Sequence, residues 1–194
     1  MLTPVVFGTD QQHYIAPSWD DLDRLTVQVA GQITAATPSF DLVVALAKGA
    51  WPMSRSLVDY TQIGELASLG VKFYSGINER LPEPAIYQTL PTSVTGKRVL
   101  LFDDVADTGE SLLFVTGYLL AQGASAVSTA SLFFKPWSKC EPDFYGTTTE
   151  AWIIFPFEKR EMHELLQRKW QEQGTGEKEI AERFAQLNIS KTWE

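Results

Sequence analysis

The chain has 194 residues, of which 44% are hydrophobic and 21% charged, a composition typical of one folded globular domain and not of a disordered chain. Its formal net charge of −8 argues against a nucleic acid or an anionic membrane as the main partner. The single Cys140 excludes an internal disulfide, and the absence of an apolar run of about 20 residues or of a secretion signal leads us to expect a cytoplasmic protein.

The first half of the chain predicts a helix, a strand and a second helix. Ser18 and Asp21 form a capping-box-like start, and the apolar residues that follow recur at spacings of three and four until Pro38. Residues 41–46 are a short continuous apolar run, which is typical of a buried strand. After a turn-like stretch, residues 53–63 predict the second helix.

A long irregular segment follows the second predicted strand, residues 71–74. Residues 75–96 contain three prolines and two glycines and show no sustained period. We expect a long mobile loop there, with a short extended piece around residues 85–88. Residues 98–102 then predict a third strand, and residues 111–122 a helix that stops at a glycine.

The last part of the chain predicts two strands and charged helices. Residues 126–134 and 151–155 are the fourth and fifth predicted strands, and charged helix formers follow from Glu158, with a break at residues 174–176. The alternation of strand and helix predicts an α/β fold with a mostly parallel central sheet flanked by helices. We expect a single domain over residues 1–194, with a core of about 19–158 and a helical extension of about 159–194.

The stretch VLLFDDVADTGESL, residues 99–112, places three aspartates directly after an apolar strand. In open parallel sheets, ligands bind beyond the carboxyl ends of the strands, and the turn before a helix presents unpaired backbone N–H groups to an anion. Thr108, Gly109 and Ser111 suit a phosphate, whereas Asp103 and Asp104 suit sugar hydroxyls or a divalent metal. The turn therefore predicts a ribose 5-phosphate site. Ordinary helix capping is the alternative.

This stretch resembles the phosphoribosyl-pyrophosphate (PRPP) signature of the type I phosphoribosyltransferases. The resemblance implies that Asp103 and Asp104 contact the ribose hydroxyls and Mg²⁺, and that Asp107 is the catalytic base near the purine N7. The PRPP-binding residues that it implies here are Asp103, Asp104, Ala106, Asp107, Thr108, Gly109, Glu110 and Ser111. An acidic residue at position 110 departs from what a phosphate site favours, so we expect the Glu110 side chain to face solvent.

A second loop, LAKGAWP at residues 46–52, resembles the pyrophosphate loop of the same family. Lys48 and Gly49 match its basic residue and first small residue, whereas Ala50 stands where glycine is usual. The alternative is an exposed lysine in a tight turn. The segment after residue 74 resembles the family's mobile catalytic loop, in which Tyr74, Ser75 and Arg80 would touch the pyrophosphate; a surface loop without catalytic contacts is the alternative.

The base site is implied by FFKPWS, residues 133–138, and TEAWIIFPFE, residues 149–158. Both resemble the 6-oxopurine branch of the family, which transfers phosphoribose to xanthine, guanine or hypoxanthine. The resemblance implies that Lys135 donates to the purine O6, that Trp152 stacks on the ring and that the backbone of Ile153 reads the purine edge. Glu158 would lie near the metal. Core packing is the alternative for Trp152, and we interpret Trp137 as a packing or interface residue.

Together these resemblances imply a Mg²⁺-dependent purine salvage transferase that uses PRPP and a purine base. They also imply a homodimer, with a small hood built from C-terminal and possibly N-terminal segments. Two alternatives stay open: a non-catalytic module of this fold that senses PRPP or a nucleotide, and a transferase for another base.

Overall fold

The computed structural model describes residues 2–8, 10–36, 39–76 and 79–189, and it describes their side chains except for residues 73–83. The chain divides into two compact units. The larger is Asp23–Thr149, and the smaller combines Met1–Leu22 with Glu150–Glu194. The smaller unit is thus built from both terminal segments, as the resemblance implied.

Nine strands and five helices are assigned within the described residues. The strands are β1 (Val5–Phe7), β2 (Asp10–Ile15), β3 (Leu42–Ala47), β4 (Glu65–Gly76), β5 (Glu79–Gln88), β6 (Arg98–Ala106), β7 (Ala126–Phe134), β8 (Phe144–Thr148) and β9 (Trp152–Ile153). The helices are α1 (Trp19–Ala35), α2 (Trp51–Thr61), α3 (Glu110–Ala121), α4 (Lys159–Glu172) and α5 (Glu177–Gln186).

The larger unit contains a six-stranded sheet in the order β5-β4-β3-β6-β7-β8. All neighbouring strands are parallel except β5, which runs antiparallel to β4 at the edge. The predicted α/β fold with a mostly parallel sheet is therefore confirmed. The chain moves from β3 outward to β4 and, later, from β6 outward to β7 in the opposite direction. The strand order thus reverses between β3 and β6, and this switch point is where open α/β sheets bind ligands.

An apolar core fixes the sheet against α3. Some of the buried residues of β3, β4 and β6 form a cluster with Leu112, Val115 and Leu119, and each of these three α3 residues is at most 1% exposed. On α1, the side-chain amides of Gln28 and Gln32 donate to carbonyl oxygens of Gly146 and Tyr145 at 2.7 and 2.8 Å. Helix α3 thus packs on the central strands and α1 is bonded to the edge strand β8, so the sheet is a rigid base for a site.

The predicted start of α1 is confirmed in detail. The Ser18 amide donates to the Asp21 carboxylate at 2.9 Å, and the Asp21 amide donates to the Ser18 hydroxyl at 3.1 Å. These reciprocal bonds satisfy donors that have no partner inside the first helical turn.

The smaller unit contains the three-stranded sheet β1-β2-β9 and the helices α4 and α5. Its centre is the carboxylate of Asp10, which is 5% exposed. It accepts from the Tyr14 hydroxyl, from Lys169 Nζ at 3.1 Å and from the Trp170 indole at 3.0 Å. Burial alone would raise the pKa of Asp10, but the bonds from Tyr14, Trp170 and Lys169 lower it to about 2.

The loop predicted over residues 75–96 is wrong for residues 79–84, whereas the extended piece predicted around residues 85–88 is confirmed, since both stretches belong to strand β5. Prolines argued against a strand, but an edge strand needs backbone donors on one side only and tolerates them. Strand β4 begins at Glu65, six residues before the predicted start.

The last predicted strand is also partly wrong. Residues 151–155 contain only the two-residue β9, which pairs with β2 and does not join the six-stranded sheet. The strand beside β7 is instead β8, which the sequence did not predict. No helix in the described part of the chain is long and apolar enough to cross a membrane.

Candidate functional site

Asp103 and Asp104 lie on β6 itself, because this strand continues to Ala106 and does not end at residue 102. Asp103 is paired in register with Ser131 of β7, so β7 holds this part of the strand in place. Burial raises the pKa of Asp103 well above its usual range, and the adjacent Asp104 carboxylate raises it further. Burial also raises the pKa of Asp104. Two carboxyl groups are therefore held together where their negative charges oppose each other.

The turn after β6 leads directly into α3. Gly109 precedes the helix with φ +77°, a left-handed conformation that favours glycine. Glycine has no side chain to cap the helix, and the Thr108 hydroxyl accepts from the Glu110 amide at 3.4 Å. Asp107 and Thr108 are exposed, whereas Gly109 is buried. The amide groups at this helix start have the donor geometry and the dipole direction that suit a phosphate.

The loop after β3 meets the aspartate pair. The α-carbon of Gly49 lies against Asp104, and a methyl group added there would overlap the Asp104 carboxylate. The Ala47–Lys48 peptide bond is cis. Ala50 is fully buried at the start of α2 with φ −72°, so this position does not need the conformational freedom of glycine. The structure thus brings the predicted loop Lys48–Ala50 to the predicted aspartate turn.

Lys135 follows β7 and is 5% exposed. Its backbone amide donates to the Ala106 carbonyl at 3.1 Å, which ties the end of β7 to the end of β6. Its ammonium lies 5.3 Å from the ring centroid of Trp137. The backbone of Lys135 is therefore bonded to the end of the strand that carries Asp103 and Asp104.

Trp137 contacts two of the predicted site residues, which sequence reasoning did not anticipate. Its indole Nε1 donates to the carboxylate of Asp107 at 3.1 Å, and 54% of the residue is exposed. The sequence interpretation of Trp137 as a packing or interface residue followed from the resemblance, which assigns no role to this position of FFKPWS. The available signal was its position two residues after Lys135, in the loop that follows the strand beside β6.

The segment after Trp137 packs on the phosphate turn. The Lys139 amide donates to the Thr108 carbonyl at 3.0 Å, and a Cβ at Gly109 would lie 2.6 Å from the Cys140 nitrogen. We expected the Glu110 side chain to face solvent. Instead its carboxylate accepts from Lys139 Nζ at 2.9 Å, and 24% of the side chain is exposed. The cation of Lys139 therefore offsets the one acidic side chain at the start of α3.

Three of the predicted residues, Trp152, Ile153 and Glu158, belong to the smaller unit. Trp152 on β9 is 45% exposed, whereas Ile153 beside it is 7% exposed. Glu158 precedes α4, and its carbonyl accepts from the Met162 amide at 3.0 Å. The exposed indole of Trp152 argues against simple core packing. The side chains of Tyr74, Ser75 and Arg80 lie outside those that the structure describes.

Among the described residues, no group of three or more histidine, cysteine, aspartate or glutamate side chains is arranged to hold a metal. The pair Asp103 and Asp104 nevertheless fits Mg²⁺, because a divalent cation would offset the burial that raises the pKa of both carboxyl groups and the repulsion by Asp104 that raises the pKa of Asp103 further. Mg²⁺ is commonly bound by one or two carboxylates, with substrate oxygens and water as its other ligands.

Comparisons with known proteins agree with this geometry. A family model described as "Phosphoribosyl transferase domain" matches residues 10–160. The hypoxanthine-guanine phosphoribosyltransferase of Streptococcus thermophilus (strain CNRZ 1066) is 30% identical over 122 residues, which are 61% of this chain and 67% of that protein. That of Streptococcus pyogenes serotype M3 (strain MGAS315) is 25% identical over 156 residues, which are 77% of this chain and 87% of that protein.

Solved structures show the same likeness. The purine phosphoribosyltransferase of Pyrococcus horikoshii Ot3 is 30% identical with a TM-score of 0.66, over 74% of this chain and 93% of that one. A hypothetical protein of Neisseria gonorrhoeae with bound ppGpp is 25% identical with a TM-score of 0.67, over 76% and 90%. Because the family model spans most of the sequence, with the aspartate turn and the Lys48 loop inside it, the chain belongs to the phosphoribosyltransferase family.

Proposed function

We propose that the protein transfers 5-phosphoribose from PRPP to N9 of a 6-oxopurine (xanthine, guanine or hypoxanthine) and releases pyrophosphate. The observation that carries the proposal is the contact between Gly49 and Asp104 at the switch point of the sheet. It puts the loop suited to pyrophosphate beside the carboxylates suited to ribose. Lys135 follows the next strand of the same sheet.

Each part of PRPP has a matching group in the larger unit. The amides at residues 106–111 and the start of α3 suit the 5-phosphate. The backbone of Lys48–Ala50 and the Lys48 ammonium suit the pyrophosphate. Asp103 and Asp104 suit the ribose hydroxyls and Mg²⁺, which when bound would offset the negative charge of the leaving pyrophosphate.

Recognition of the purine base is assigned to Lys135 and Asp107. A lysine donor at the purine O6 favours a 6-oxo group and disfavours adenine, whose 6-amino group is itself a donor. Asp107, exposed in the turn, would accept or hold the N7 proton. The resemblance assigns stacking to Trp152, whose exposed indole is compatible with it, edge recognition to the Ile153 backbone, and metal binding to Glu158.

The test is pyrophosphate release from PRPP and Mg²⁺ with xanthine, guanine, hypoxanthine, adenine and uracil in turn. We expect release with at least one 6-oxopurine and none when EDTA removes the metal. If no base leads to pyrophosphate release, the proposed transferase activity is contradicted. If only adenine or uracil leads to release, the 6-oxopurine assignment is contradicted. Sedimentation of the same sample tests the expected homodimer.

Two variants test the assigned roles. Asp107→Asn should lower turnover and leave PRPP binding largely intact, whereas Asp20→Asn, on the first turn of α1, should behave like the unchanged protein. Lys135→Met should raise KM for the base and leave KM for PRPP unchanged.

A second candidate is a nucleotide-sensing protein of the same fold without turnover. The Neisseria gonorrhoeae neighbour with bound ppGpp favours it. Calorimetric binding of a guanine nucleotide, together with no pyrophosphate release from any base, would support this candidate over the transferase.

A further inference from the structure

Trp137 contacts both residues that the proposed function assigns to the base. Its indole N–H donates to Oδ1 of Asp107 at 3.1 Å, and the ammonium of Lys135 lies 5.3 Å from its ring centroid. The two contacts use different parts of one side chain, its edge and its face. The edge of an aromatic ring attracts a carboxylate and its face attracts an ammonium, so one indole can bind both groups.

The backbone around Trp137 is fixed to the phosphate turn. The Lys135 amide donates to the Ala106 carbonyl at 3.1 Å, before the tryptophan, and the Lys139 amide donates to the Thr108 carbonyl at 3.0 Å, after it. The Ser138 amide also donates to the Lys135 carbonyl at 2.9 Å, which closes a turn around Trp137. The indole therefore projects from a segment bonded on both sides to the turn that contains Asp107.

Burial does not explain this tryptophan. It is 54% exposed, so it contributes little to the core, and truncation of exposed side chains usually changes stability only slightly. What the indole does supply is a donor that cannot accept, directed at a carboxylate. Such a bond holds one carboxylate oxygen and restricts rotation of the group.

We infer that Trp137 is a positioning residue for Asp107: the indole holds Oδ1 and directs Oδ2 to the purine N7. This inference rests on the proposed function. It adds to that function a residue which acts through the carboxylate and does not itself need to touch the substrate.

The experiment is a double-mutant cycle on Trp137→Phe and Asp107→Asn, with kcat and both KM values measured by varying each substrate while the other is saturating. Phenylalanine keeps an aromatic face for Lys135 but removes the N–H donor. We expect Trp137→Phe to lower kcat about tenfold, the size of one lost bond to a charged group, with KM for PRPP unchanged. In the Asp107→Asn background the same substitution should change kcat less than about twofold, because non-additivity is the sign of coupled residues.

The matched control is Trp19→Phe. Trp19 is 51% exposed and contacts Phe157 in the smaller unit, and this substitution should leave kcat unchanged. Melting temperatures of all variants show whether a kcat change reflects folding.

The outcomes separate the two proposals. An active protein in which Trp137→Phe has the same effect in both backgrounds, has none, or changes only KM for PRPP overturns the role of Trp137 and leaves the proposed function in place. A protein that releases no pyrophosphate with any base overturns the proposed function, and the inference with it.

Discussion

The α-carbon of Gly49 lies against the carboxylate of Asp104, so the loop after β3 and the strand β6 touch at a position where a side chain has no space. Because the contact is with Asp104 itself, any side chain at position 49 must move either the loop or the carboxylate. Two parts of the proposed PRPP site thus depend on one close approach of backbone to side chain.

Gly49→Ala should therefore raise KM for PRPP by about tenfold or more, the equivalent of roughly 1.4 kcal/mol of binding. Initial-rate kinetics with varied PRPP measures the change. The control is Gly31→Ala in α1, where an added Cβ meets nothing within 4 Å. That variant should keep KM unchanged and raise the melting temperature slightly, because alanine favours helix. Equal KM values for Gly49→Ala and the unchanged protein would contradict the proposed role of this contact.

Gly109→Ala should destabilise the protein and weaken PRPP binding. A left-handed backbone costs a non-glycine residue about 1–2 kcal/mol, and here the added Cβ also meets the Cys140 nitrogen at 2.6 Å. Gly174→Ala separates the two causes, since Gly174 has φ +79° but nothing within 4 Å. Urea unfolding should show that Gly109→Ala lowers the free energy of unfolding more than Gly174→Ala does. Equal losses would mean that the packing of residues 138–140 on the turn contributes nothing.

Stability should fall in acid through Asp10. Its pKa is lowered to about 2 in the folded chain from an ordinary value of 3.8, so the ionised form stabilises the fold above pH 4. That stabilisation, about 2 kcal/mol, is lost as the pH falls from 4 to 2. Urea unfolding of the unchanged protein and of Asp10→Asn between pH 2 and 7 measures it. The difference between the two should shrink as the pH falls; a constant difference would contradict the lowered pKa.

The ion pair between Lys139 and Glu110 should tune phosphate binding. Lys139→Ala leaves the acidic side chain at the start of α3 without its cation, so KM for PRPP should rise roughly two- to fivefold. Adding Glu110→Gln in the same chain should reverse most of that rise. Initial rates at low and high salt check the cause, since the effect of surface charges diminishes with ionic strength. If the double variant has the same raised KM for PRPP as Lys139→Ala alone, repulsion by Glu110 is not the cause of the rise.

The fold could be predicted where one local pattern decided the structure. The periodic apolar face of α1 and the continuous apolar strands β3 and β7 are patterns of this kind, and the structure confirms them. Strand β5 could not be predicted, because its pairing with β4 depends on the tertiary structure. Its prolines are tolerated only because it lies at the edge of the sheet. Strand β8 is short, and its pairing depends on β7.

In the candidate site, too, the residues that could be predicted were those that belong to a local sequence pattern. Asp103, Asp104 and Gly109 stand in a motif whose spacing carries the chemistry, so their neighbourhood could be anticipated. Trp137 could not, because its bond to Asp107 joins two loops that are 30 residues apart in the chain. A donor that reaches across two strand ends leaves no periodic signal in the sequence.

The cluster around Asp10 in the smaller unit joins residues that are far apart in the chain. Asp10 on β2 is bound by Lys169, 159 positions later, and between them the chain forms the whole six-stranded sheet. During synthesis, the aspartate turn after β6 is therefore complete before Lys169, the cation that binds Asp10, has been added to the chain. The cluster that contains strand β2 therefore cannot be completed until Lys169 has been synthesised.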